Sequence, residues 1–123
     1  MDVRGLMRRS AQHYAERTAV VSGDRRLTFA QAWSRGLRLA NGLLALGLDP
    51  GDRVAVLEDN GIGAQDMYAG AAAAGLVRVP LYARDARRAH ADNMAGTGCR
   101  ALVVSQRYPV SYTHLTLPTI YSV

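Results

Sequence analysis

Apolar positions in the first third of the chain recur at helical spacing, whereas those in the middle come in short unbroken runs, so the pattern changes period along the sequence. Over Val3 to Glu16, apolar residues stand at Leu6, Met7, Ala11, Tyr14 and Ala15, which predicts a one-sided helix. Ala19 to Ser22 and Arg26 to Thr28 read as two strands of a small hairpin turned at Gly23 and Asp24. Thr28, followed three places on by Gln31, makes a capping box in which each side chain accepts from the other residue's backbone amide. Phe29, Ala32, Trp33, Leu37, Ala40, Leu43, Leu44 and Leu48 then hold to one helical stripe, which Gly47, Pro50 and Gly51 stop. Gly36 and Gly42 inside that helix each cost up to about 1 kcal/mol of propensity, and both are read as marking the close approach of another element.

The middle of the chain, Gly51 to Tyr82, reads as one strand, helix, strand unit. Arg53 to Leu57 is a short β-favouring run, Ala64 to Gly75 is Ala-rich and helical, and Leu76 to Leu81 is a second β-rich run containing Pro80. Two strands joined by such a helix lie parallel. Asp85 is placed to cap a helix over Ala86 to Ala95 that ends at Gly96 or Gly98, and Arg100 to Ser105 reads as a third strand of the same kind. The expected architecture is α/β: a partial, mostly parallel sheet with covering helices and a small N-terminal β-hairpin. A sheet ending at its third parallel-type strand leaves an unpaired edge and an uncovered face, which predicts poor solubility.

Composition breaks near the end. Residues 1–109 hold twenty Ala and fifteen Arg, whereas Val110 to Val123 holds neither and carries no Asp or Glu. The stretch VSYTHLTLPT resembles the reading-frame translation of a transposase-type sequencing-library adapter. Residues 110–123 are therefore expected to be a non-native tail, and 1–109 the natural segment. His114, Thr113, Thr116 and Thr119 carry no functional weight on that reading.

Length and composition fit a single domain: 123 residues, 49% hydrophobic and 20% charged, are enough to bury one core. The chain has no Lys, and its formal charge of +5 comes from arginines spread from Arg4 to Arg107 without a run longer than two. Aromatic residues do not alternate with them, so no nucleic-acid partner is expected. No segment approaches the length of a membrane span, and the N-terminus lacks the apolar core of a signal peptide, so a cytoplasmic location is the default. Cys99 is the single cysteine and reads as a small buried hydrophobe; His13 reads as a solvated or packing residue on its helix.

Three constellations bear on chemistry. Gly61-Ile62-Gly63 after the first parallel strand has the opening of a dinucleotide fingerprint, with Asp85 at about the distance of a ribose-binding acid. Asp66 stands where that fingerprint needs Gly or Ala, and Glu58 and Asp59 precede the glycines, where their charge repels a pyrophosphate. Arg84, Arg87 and Arg88 cluster at a helix start but read as a solvated face. No Ser, His and acid arrangement, and no Gly-rich loop ending in Lys, can be assembled. No catalytic, cofactor-binding or metal-binding residue is therefore assigned.

The order of motifs carries more. Leu27-Thr28-Phe29 at the start of the long helix, Gly51-Asp52-Arg53-Val54-Ala55 opening a strand, Asn60 in the loop after it, and Ala74-Gly75 followed by Val79-Pro80-Leu81 occur in sequence over residues 1–105. In these pieces and their spacing the chain resembles the N-terminal part of the AMP-forming acyl-CoA synthetases and related adenylate-forming enzymes. It departs from them at Ala83, where Pro is common, and in its more glycine-rich Asn60 to Gly63 loop.

That resemblance implies an ATP-dependent acid–CoA ligase, in which a carboxylic acid, of fatty-acid type, is activated as an acyl-adenylate and transferred to the thiol of coenzyme A. ATP, Mg²⁺ and coenzyme A are implied for the parent family, with a small-molecule carboxylic acid as partner. The family's phosphate loop and late Lys are not in this chain. Residues 1–109 are expected to be an N-terminal fragment of the AMP-binding (adenylation) domain, inactive alone and without a cofactor of its own. The alternative is a complete small α/β nucleotide-binding or interaction module without ligase chemistry.

Overall fold

The computed structural model describes residues 2–105, 107 and 119–122. Helix α1 spans Val3–His13 and is capped by Asp2, whose Oδ1 accepts from the Gly5 amide at 2.7 Å. Strands β1 (Thr18–Ser22) and β2 (Arg25–Thr28) pair antiparallel with Ser22 opposite Arg25, so Gly23 and Asp24 form the turn. Gly23 sits at φ +61°, a conformation it adopts without the steric penalty of a side chain. Helix α2 (Phe29–Ala45) starts at the expected capping box: the Gln31 amide donates to Thr28 Oγ1 at 3.1 Å, and the Thr28 amide donates to Gln31 Oε1 at 2.9 Å.

Strand β3 (Arg53–Leu57) leads into α3 (Ile62–Ala74), which starts two residues earlier than its composition suggests. Gly75 ends it at φ +72°, and the Leu76 amide reaches back to the Ala71 carbonyl at 2.9 Å. Strand β4 (Val77–Pro80), helix α4 (Arg87–Thr97) and strand β5 (Ala101–Ser105) follow. Asp85 does not cap α4: the helix starts at Arg87, one residue later than expected, so the cap position falls on Ala86, without a side-chain bond, and Asp85 stands in a turn that its amide closes on the Tyr82 carbonyl at 3.0 Å. Strand β6 (Thr119–Ser122) lies within the stretch set aside as a tail.

β3 pairs parallel with β4 on one side and with β5 on the other, as the strand, helix, strand reading requires. The edge expectation is corrected: β6 pairs parallel with β5, giving the order β4-β3-β5-β6, so β5 is an inner strand. The reason is that a parallel ladder is made of backbone groups, and Thr-Ile-Tyr-Ser is a β-favouring run able to supply them.

Both faces of the central strands are buried, which is why those strands appear as unbroken apolar runs. Val54, Val56, Ala101 and Val103 face a core with Ala40 and Leu43 of α2 and Met67, Ala71 and Ala74 of α3. Ala55, Leu57, Leu102 and Val104 face a second core with Leu81, Met94 and Cys99 on the α4 side. Of the two helix glycines expected to mark a close approach, Gly36 does: a Cβ there would lie 2.4 Å from Ala69 Cβ. Gly42 does not, having nothing within 4 Å. It lies on the exposed side of α2, where no described element approaches.

Candidate functional site

The connection order places a crevice before any side chain is considered. β3 leads through α3 to β4 on one side, and β4 leads through α4 past β3 to β5 on the other. The winding therefore switches between β3 and β5, and ligand crevices of open α/β sheets lie outside the carboxyl ends of such strands. Here those ends carry Glu58, Asp59 and Asn60 after β3, and Ser105 and Arg107 at and after the end of β5.

These residues already engage one another. Arg107 Nη1 donates to Asp59 Oδ2 at 2.8 Å across the crevice, and the Arg107 amide donates to Ser105 Oγ at 3.3 Å. The Glu58 carboxylate lies against the first turn of α3, since a Cβ on Gly63 would fall 2.7 Å from Glu58 Oε2. The exposed amides of a helix start favour an anion, and here a side-chain anion stands beside them. Gly63 thus makes room for Glu58, and a pyrophosphate entering at this point would meet that charge.

The other candidates are scattered. Asp66 is turned away into a part-buried bidentate pair with Arg35, with Nε to Oδ1 at 2.8 Å and Nη2 to Oδ2 at 2.7 Å, joining α2 to α3. Hydrogen bonding to Asp66 raises the Arg35 pKa above its ordinary value, with burial opposing and the charge of Asp66 adding to the rise. Arg84, Arg87 and Arg88 are exposed around the start of α4, and His13 is exposed on α1. Cys99 is 7% exposed, with its sulfur 3.2 Å from Thr97 Oγ1, in keeping with a small buried residue.

Three residues of consequence escaped the sequence reading. Arg107 and Ser105 gained a role only because β5 lies beside β3. His90 is 1% exposed and its Nε2–H donates to the Tyr82 carbonyl at 2.6 Å, tying α4 to the turn before it. Its spacing of four from Met94 on one helix face was the available signal.

At this crevice the described residues do not fit a nucleotide triphosphate with its metal. The glycine loop is filled by Glu58, the chain has no Lys, and among the described residues no three His, Cys, Asp or Glu side chains are placed to share a metal ion. Among the described residues no helix is long and apolar enough to cross a membrane.

Comparison with known proteins gives this scaffold its setting. The chain is 44% identical over 73 residues to a feruloyl-CoA synthase of Amycolatopsis sp., covering 59% of this chain and 15% of that protein. It is 34% identical over 102 residues to 3-[(3aS,4S,7aS)-7a-methyl-1,5-dioxo-octahydro-1H-inden-4-yl]propanoyl:CoA ligase of Rhodococcus jostii (strain RHA1), covering 83% of this chain and 20% of that protein. The chain therefore spans no more than a fifth of these relatives. In fold it is similar to the o-succinylbenzoate coenzyme A synthetase of Bacillus subtilis solved with ATP and magnesium ion, with a TM-score of 0.88 and 21% identity over 98% of this chain and 33% of that one. Residues 7–120 match the family described as AMP-binding enzyme, and with that match over an α/β scaffold of the same fold, the chain belongs to that family.

Proposed function

We propose that this chain is an N-terminal part of the AMP-binding domain of an acid–CoA ligase, and that its role there is to form scaffold rather than to supply reacting groups. The observation that carries the reading is the 34% identity over 83% of the chain to a CoA ligase of which it spans only 20%. In such a ligase a carboxylic acid is activated as an acyl-adenylate and its acyl group passes to the thiol of coenzyme A. ATP, Mg²⁺ and coenzyme A are accordingly assigned to the full-length protein. The present residues contribute a rigid parallel sheet, with Glu58, Asp59, Asn60 and Arg107 at its carboxyl end. Free Cys99 fits a reducing, cytoplasmic compartment.

Residues 110–123 are proposed to have a different origin from 1–109. Their composition supports this, and pairing of β6 with β5 is compatible with it, because an open parallel edge accepts any β-favouring run through backbone bonds. The family match extends to residue 120, so the DNA has to decide. An adapter string from the codon of Val110 onward is expected; ordinary GC-rich codons continuing the frame would reject a separate origin.

The decisive assay is ATP–pyrophosphate exchange by the isolated chain with a panel of carboxylic acids. No exchange and no ATP binding are expected. Measurable exchange, or saturable ATP binding, would overturn the scaffold role. For the ligase parentage itself, the natural gene is expected to continue into a Gly/Ser/Thr-rich loop and a late Lys, and a native stop codon after Ser105 would instead favour a small self-contained module.

A further inference from the structure

Helix α1 carries two apolar stripes, and the core uses one of them. Met7 and Ala11, four residues apart, turn onto the body of the protein, where Ala11 is buried and Met7 is half-buried. Val3, Leu6 and Tyr14 follow the neighbouring stripe and stay 58%, 53% and 50% exposed. Arg9 and His13 flank that stripe, and Leu6, Arg9, His13 and Tyr14 line one recess of about 340 Å³. At its end the Arg17 guanidinium lies over the Tyr14 ring, 5.4 Å from the centroid. Among the described residues neither Arg9 nor Arg17 is paired with a carboxylate, and no Asp or Glu occurs from Val3 to Ala15.

Apolar side chains held in water beside cations that lack anions complement a surface that is apolar beneath and negatively charged on top. We propose that this face of α1 docks on an anionic phospholipid membrane, with Val3, Leu6 and the Tyr14 ring among the headgroups and upper acyl chains, and Arg9 and Arg17 on lipid phosphates. A helix of this kind lies on the bilayer rather than across it, bound by its buried apolar area and by attraction of its cations to anionic lipid. A guanidinium beside a tyrosine ring suits that boundary, since both groups have an apolar body and a polar tip. Exposed Val3 and Leu6 favour lipid over nucleic acid, whose phosphate backbone offers them no apolar contact. Arg4 and Arg8 each stand two residues from Leu6 and so lie off this face, whereas Arg9, three residues on, shares it. The inference goes beyond the ligase reading and does not depend on it, because the surface is formed by residues 3–17.

The experiment is co-sedimentation of the 123-residue protein with vesicles of phosphatidylcholine alone and of phosphatidylcholine with about a third phosphatidylglycerol. Binding to the anionic vesicles, little to the neutral ones, and release at high salt are expected. Arg9→Gln should weaken binding about fivefold, the effect of one cation near an anionic surface, and Arg8→Gln by less than about twofold. Leu6→Gln should weaken it about tenfold by removing apolar burial. Val3→Gln should act in the same direction, and Val3 is the more exposed of the two, so it decides the matter if the Leu6 variant loses its far-UV circular dichroism. Absence of binding, equal binding to the two kinds of vesicle, an Arg8→Gln loss as large as that of Arg9→Gln, or a folded Val3→Gln variant that binds as the parent does would each overturn the proposal. Duplex DNA that displaces the protein from anionic vesicles equally well from the parent and from Val3→Gln would overturn it too, by assigning the surface to nucleic acid.

Discussion

The two faces of the sheet are built on different plans. One is covered by two helices that also pack on each other, α2 and α3, with glycine against alanine at Gly36 and Ala69 and a part-buried ion pair between Arg35 and Asp66. The other is covered by α4, with a smaller core around Leu57, Leu102 and Met94 and a histidine bonded to a backbone carbonyl as its anchor. Where helices meet helices and sheet at once, close packing can do most of the holding; where one helix lies on a sheet alone, a polar tie takes a larger share. The first face should therefore tolerate changes in shape least.

The largest effects are expected from core truncation, and they should differ between the faces. Leu43→Ala should lose about 3 kcal/mol and Met94→Ala about 2, because α4 is freer to settle into the space left. Denaturant unfolding measures both, and a Met94→Ala loss equal to or above that of Leu43→Ala would break the comparison. Next in size, Gly36→Ala should cost about 2 kcal/mol even though alanine is the better helix former, since the new methyl meets Ala69 at 2.4 Å. A neutral result there would mean that α2 and α3 can part freely.

On the opposite face, His90→Ala should cost about 1.5 kcal/mol, by leaving the Tyr82 carbonyl without this donor. In hydrogen exchange the α4 amides should then open at lower free energy than those of α3, and parallel loss of protection in both helices would show that the faces unfold as one. Thr28→Ala should remove about 1 kcal/mol with the capping box, and failure to see this would mean that the tertiary contacts of α2 alone set its start. The smallest effect is a gain: Gly42→Ala, with nothing within 4 Å, should add up to about 1 kcal/mol, and any loss would reveal a contact on the outer face of α2.

Local rules recovered the order of elements because each signal acts within a few residues. The Thr28 and Gln31 box and the Gly23-Asp24 turn need no distant partner. The same locality explains the misses. Asp85 has the composition of a cap, but α4 begins one residue later than its pattern suggests, which moves the cap position to Ala86. Gly36 and Gly42 look alike in the sequence, yet only Gly36 faces a neighbour. The crevice was half legible: Glu58 and Asp59 stood out beside the glycines, whereas Arg107, 48 residues away, could be joined to Asp59 only by strand pairing.

By itself the sequence determined the alternation of helices and parallel strands and the family likeness. These are written in period, propensity and short motifs. Strand order, the contact of Gly36 with Ala69, the filling of the glycine loop by Glu58 and the addition of β6 to the edge of β5 were decided only in the tertiary structure. Each depends on which residues distant in the chain come within a few ångströms of one another, and no local pattern encodes that.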